Sequence, residues 1–160
     1  MNDAPRQFCT FVVADSWFGI DVLRVQEVIR EQPLTRVPLA PAAVRGLMNL
    51  RGQIVTAVDL RRRLGLPDRV AGAPAVNVVV RAGDGAVALL ADEIGDVIDV
   101  PEGLFELPPE TLRGAAREAV AGAYKLPGRL LLALDLDRIV DLRIAETANS
   151  TDSAKAPRLP

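Results

Sequence analysis

Residues 44–66, VRGLMNLRGQIVTAVDLRRRLGL, align without a gap on residues 120–142, VAGAYKLPGRLLLALDLDRIVDL, with nine identities in 23 positions. In a chain of 160 residues such a repeat calls for two lobes of similar topology sharing one core. A weaker echo precedes each copy, VQEVI (25–29) before the first and IGDVI (94–98) before the second, each followed by a proline-bearing loop. The positions kept in both copies serve the backbone. Gly52 and Gly128 mark hairpin tips that need a residue tolerant of positive φ. Asp59 and Asp135 stand between strand and helix, where a short acceptor side chain caps the first turn. Arg51 is different. Its counterpart is Pro127, so the tip does not require a cation, and the arginine needs another explanation.

The rest of the chain reads as short strands and frequent turns. Twelve prolines and twelve glycines break up brief Val/Leu runs, which favours β structure with short helices over a bundle. QFCTFVVADSWFGIDV predicts two strands around a turn at Asp15–Ser16. Asp21 then stands to cap a short helix through VLRVQEVI, with a strand from Val28 as the competing reading because the segment is rich in β-branched residues. AAVRGLMNL predicts a helical turn entering a strand, and Gly65 ends a short helix over LRRRL. GLPDRVAGAP is the best internal boundary, separating lobes of about 15–70 and about 75–144, with the N-terminal strand able to cross to the second. The second lobe opens with two strands around Ala-Gly-Asp-Gly, and the stretch through ETLRGAAREA is expected to be less ordered. The domain is expected over 7–144, between a flexible start (1–6) and a polar, disordered tail (145–160).

Composition removes several function classes. The chain has no histidine, which excludes imidazole triads and His-containing zinc sites. One cysteine, Cys9 in an apolar stretch, permits no internal disulfide and suits a reduced, packed thiol of a cytoplasmic protein. The N-terminus lacks a basic region followed by an apolar one, so neither secretion nor membrane spanning is expected. Asp92 and Glu93 are adjacent on a strand and point to opposite faces, a poor carboxylate pair. AGDG is a hairpin turn rather than a phosphate cradle. An enzyme ranks last, and no cofactor or metal is expected. The net charge of −2 is unevenly spread: ten arginines against seven acids up to Arg69, nine basic residues against fourteen acids after it. Arg61, Arg62 and Arg63 could be a nucleic-acid face, but no aromatic lies between Phe18 and Phe105 to stack on bases. A solvated helix face or a charge-specific protein contact explains them better.

Four blocks in order, VLRVQEVI, VPLAPAAVRGLMNLRGQIVTAVDLRRRLG, GAVALLADEIGDVIDV and GAYKLPGRLLLALDLDRI, resemble the CheW-like chemotaxis coupling proteins from about Phe8 to Val140. The resemblance implies a mainly β fold of two intertwined five-stranded SH3-like β-barrels with short helices. It implies a non-enzymatic adaptor joining the cytoplasmic tip of chemoreceptors (methyl-accepting proteins) to the regulatory domain of a CheA-type histidine kinase. Such a protein approaches the membrane only through the receptor and binds no nucleic acid. A coupler of a related pilus or gliding pathway and a small nucleic-acid-binding barrel are the alternatives. Carried over motif by motif, receptor binding falls to Val25, Glu27, Arg51, Ile54 and Val76, lining a groove between the barrels. Val25, Ile54 and Val76 also fit a core role, and Glu27 with Arg51 fits a plain ion pair. Kinase contacts are placed at Gly46 and along the strand from Ala88 to Ile94, although the family often has glycine where this chain has Ala88.

Overall fold

The computed structural model describes residues 6–141. The tail expected at 145–160 and the first five residues of the expected flexible start lie outside the described residues. The first hairpin is β1 (Arg6–Val13) and β2 (Ser16–Asp21), followed by β3 (Val25–Arg30). The first repeat copy is β4 (Val44–Leu50), β5 (Gln53–Asp59) and helix α1 (Leu60–Arg63). After the connector come β6 (Val76–Ala82), β7 (Gly85–Ala91), β8 (Glu93–Val100), β9 (Phe105–Glu106) and α2 (Gly114–Ala119). The second copy is β10 (Val120–Leu126), β11 (Arg129–Leu134) and α3 (Leu136–Val140).

Both copies fold alike down to their irregularities. Each hairpin breaks register after its first pair, between Val44 and Gly46 and between Val120 and Gly122. The capping aspartates donate their own amides backwards, Asp59 to Ala43 O and Asp135 to Ala119 O, both at 2.8 Å. Their side chains accept from Arg61 N and Arg138 N. The strand orders are β8-β1-β2-β11-β10-β9 and β3-β6-β7-β5-β4. In each sheet a hairpin joins the repeat copy through a parallel pair, β2 with β11 and β7 with β5.

This topology corrects the division at residues 70 and 75. The whole first hairpin, not one strand, crosses to the second copy, and β6–β7 returns to the first. The echoed strands β3 and β8 each close one edge. Local readings change in two places. The helix expected over 22–29 is a single 3-10 turn at Val22–Arg24, which Asp21 does cap through Leu23 N at 2.9 Å. Val25–Arg30 is strand: half-buried Val25, Glu27 and Ile29 alternate with exposed Gln26, Val28 and Arg30, a period of two, and three of the six residues are β-branched. The stretch thought less ordered carries α2.

Three apolar clusters hold the molecule. Met48, Leu50, Val55, Val79 and Ala88 fill the sheet of the first copy, and Phe8, Val100, Tyr124 and Leu131 that of the second. The largest cluster lies where the two meet, built from Phe11, Phe18, Val58, Val78, Leu89, Leu132 and Ile139 among others. Two polar fasteners cross the same junction. Arg63, 7% exposed, donates to Ile139 O at 2.9 Å and Arg138 O at 2.5 Å, so α1 of one copy seizes the carbonyls ending α3 of the other. Asp92, between β7 and β8, accepts from Ala14 N (2.8 Å), Arg61 Nε and Nη2 (3.1 and 2.7 Å) and Arg69 Nε (3.1 Å).

Candidate partner-binding site at the Glu27–Arg51 pair

Leu50 pairs with Gln53, so the first tip is a two-residue loop. Arg51 and Gly52 both have positive φ, +52° and +87°, the signature of a type I′ turn that follows the twist of the strands. Asn49 Oδ1 accepts from Gly52 N at 2.8 Å and braces the turn. The second tip is built otherwise. Proline fixes φ near −65° at position 127 and Gly128 sits at +76°, a type II pattern. The tips therefore share register but not turn type, and only the first presents a side chain able to reach across its barrel.

That side chain is used. Arg51 Nη2 donates to Glu27 Oε2 on β3, tying the hairpin tip to the opposite edge of the sheet. Arg51 is 67% exposed and Glu27 23%. Such a surface pair is worth about 0–1 kcal/mol to the fold. Its worth lies in fixing where a guanidinium and a carboxylate stand on the surface. Ile54 is 61% exposed beside the same tip, while its neighbour Val55 is fully buried within the barrel. Val28 on β3 is also open to solvent, at 39%.

The other expected receptor residues sit deeper. Val25 is opposite Val80 and Val76 is opposite Arg30, so the two occupy opposite ends of the β3–β6 ladder. Both pack, half-buried, on the large shared cluster. Glu27, Arg51 and Ile54 thus stand together at the hairpin tip, whereas Val25 and Val76 lie half-buried at the two ends of the ladder.

Two expected kinase contacts need correction. Ala88 is fully buried inside the first barrel and has no surface to offer. Gly46 is buried at φ +152°, and an added Cβ would stand 2.6 Å from Thr35 O, where Thr35 and Leu47 bridge their backbones. Its glycine serves that close approach. Ile94 is 44% exposed on the outward edge strand β8, near Val97 at 54%. Sequence reasoning missed Asn49 as the brace and Asp92 as the hub. Asn at the residue before a tip was the available signal for the first. Burial pushes the Asp92 carboxyl up, but Arg61, the Ala14 amide and Arg69 outweigh it and hold it below the usual carboxylate range. Burial also raises the Cys9 thiol, which leaves it inert. Among the described residues no cluster of three or more Cys, Asp or Glu is placed to hold a metal.

The family model for the CheW-like domain matches residues 7–143. The chain belongs to the CheW-like family. It is 30% identical over 143 residues to the Chemotaxis protein CheW of Bacillus subtilis, covering 89% of this chain and 92% of that protein. The Chemotaxis protein CheW of Treponema pallidum is 28% identical over 143 residues, 87% and 84% of the two chains. The crystal structure of scaffolding protein TtCheW from Thermoanaerobacter tengcongensis superposes with a TM-score of 0.77 at 26% identity, covering 86% of this chain and 93% of that one. The motif resemblance and the fold of two SH3-like barrels are thereby borne out, with one sheet of six strands and one of five. With these relatives named as chemotaxis and scaffolding proteins, this chain is a chemotaxis coupling protein of the CheW type. No helix among the described residues is long and apolar enough to cross a membrane.

Proposed function

We propose that this protein works in the cytoplasm as the adaptor joining the tip of a chemoreceptor to a CheA-type histidine kinase. The observation that carries the reading is the Glu27–Arg51 pair beside the exposed Ile54. A receptor tip is a helical hairpin, and an amphipathic helix offers apolar residues at one face with polar residues flanking them. Ile54 supplies the apolar contact and the ion pair sets orientation at the rim, a use of charge that favours specificity over raw affinity. Val25 and Val76 hold β3 and β6 in place from beneath. The kinase regulatory domain takes a second surface that includes Ile94 on β8. Two valences on one rigid body raise the effective concentration of receptor and kinase for each other with no catalytic step.

The test is to titrate the full chain separately with a receptor-tip fragment and with a kinase regulatory domain. Ile54→Lys and Arg51→Ala are expected to weaken the receptor titration and leave the kinase titration and the melting temperature unchanged. Equal loss in both titrations, or none in either, overturns the assignment of this surface.

A further inference from the structure

The segment Val37-Pro38-Leu39-Ala40 is a turn closed by Ala40 N donating to Val37 O at 3.4 Å. Proline stands at its second position and Leu39, with φ +63°, at its third. This is the type II arrangement, whose third position takes glycine or asparagine because a Cβ is strained there. Leucine is a poor choice for that backbone, and the fold gains nothing from its side chain, which is 100% exposed. Strain held at an exposed apolar residue is a mark of use rather than of folding.

Leu39 overlooks a cleft of about 400 Å³ lined by Leu34, Pro41, Arg36, Arg45 and Arg62. No carboxylate lines it. Arg45 gives one nitrogen to Asp59 at 3.2 Å, and Arg62 is held by Asp68 and the Ala42 carbonyl. Arg36 has no ion pair or side-chain hydrogen bond among the described residues, and a guanidinium carries five donors. The cleft thus offers an open cation, two cations already oriented by their partners, and a projecting leucine.

We propose that this cleft docks an acidic segment of a protein partner that carries at least one large apolar side chain against Leu39. The leucine favours protein over a polyanion, since phosphate contacts alone would leave it without a role. The surface lies apart from the Glu27–Arg51 tip, and the proposal stands whether or not the receptor reading holds.

The probe is a short peptide of glutamates and leucines, compared with the same peptide carrying serine for each leucine, and with a single-stranded oligonucleotide. Each is titrated into isotope-labelled full-length protein while backbone amide resonances are followed. The leucine peptide is expected to move the amides of Arg36, Leu39, Arg45 and Arg62 and to bind about tenfold more tightly than the serine peptide. Leu39→Asn, which suits the turn, is expected to keep or raise the melting temperature while removing that tenfold advantage. Arg36→Gln should weaken the leucine peptide with the fold intact. Equal binding of both peptides, resonance changes centred outside the cleft, or a lower melting temperature in Leu39→Asn overturns the proposal. Tighter, steeply salt-dependent oligonucleotide binding at the same arginines overturns it in favour of a polyanion site.

Discussion

Replacing Asp92 with alanine tests how the two barrels are fastened. The carboxylate is 17% exposed, and its partners Arg61 and Arg69 are 18% and 9% exposed. Removing it leaves two mostly buried guanidiniums and the Ala14 amide without their acceptor. Breaking a buried charge cluster from one side costs about 3–5 kcal/mol, and the residual exposure here places the value near 3. For a chain of 160 residues that is a fall in melting temperature of about 6–12 °C. Because Asp92 is more acidic folded than unfolded, its contribution is complete above the unfolded carboxylate value of about 3.9 and is lost as pH falls through the lower folded value. Asp92→Asn keeps the shape and should lose that acid-dependent part first. Urea unfolding followed by Trp17 fluorescence, a probe of the first hairpin, and by far-ultraviolet circular dichroism reports the change. The two transitions should stay coincident, since the hub touches both sheets. A shift within about 0.5 kcal/mol for Asp92→Ala, the range of ordinary surface changes, would refute the fastening role.

Other substitutions separate structural from functional residues. Gly46→Ala should lower the melting temperature clearly, because its Cβ would meet Thr35 O at 2.6 Å. Gly52→Val at φ +87° should cost about 1–3 kcal/mol in denaturant titrations. Arg51→Ala at the neighbouring position should stay within about 0.5 kcal/mol of the parent by the same measurement. Arg63→Met leaves the Ile139 and Arg138 carbonyls without their donor, so amide hydrogen exchange in α3 should speed up, with a stability loss of about 1–3 kcal/mol.

What the sequence disclosed was local. Hairpins, caps at Asp59 and Asp135 and the positive φ at Gly52 and Gly128 follow from neighbours a few residues apart. The pairing of each hairpin with the far copy does not, because β2 meets β11 across more than a hundred residues of chain. The segment at 22–29 was ambiguous for a physical reason. Val22, Val25, Val28 and Ile29 fit a helical stripe, yet only Val22 stays in a helical turn, and branching at Cβ tips Val25, Val28 and Ile29 into strand once β6 is present to pair with. In the site, Glu27 and Arg51 were legible as a possible pair and do meet. Burial was not legible: Ala88 and Gly46 sit at positions that matter to the backbone, and nothing in their neighbours tells a wall of the core from a face of the surface. Asp92 was weighed against Glu93 as a catalytic dyad, whereas its partners come from residues 14, 61 and 69.

The exchange of hairpins between the repeat copies has a consequence for splitting the chain. A cut in the 66–75 connector gives one fragment with β1–β5 and another with β6–β11, and each then holds part of both sheets. Neither fragment can close a barrel alone, because each lacks the strand that forms the parallel pair, β7 for one and β2 for the other. Brought together they can rebuild both barrels at once, so fragment complementation should be all-or-none. The chain is thus two modules by sequence repeat and one by assembly, and a reporter fused across that cut would read the reunion of its halves.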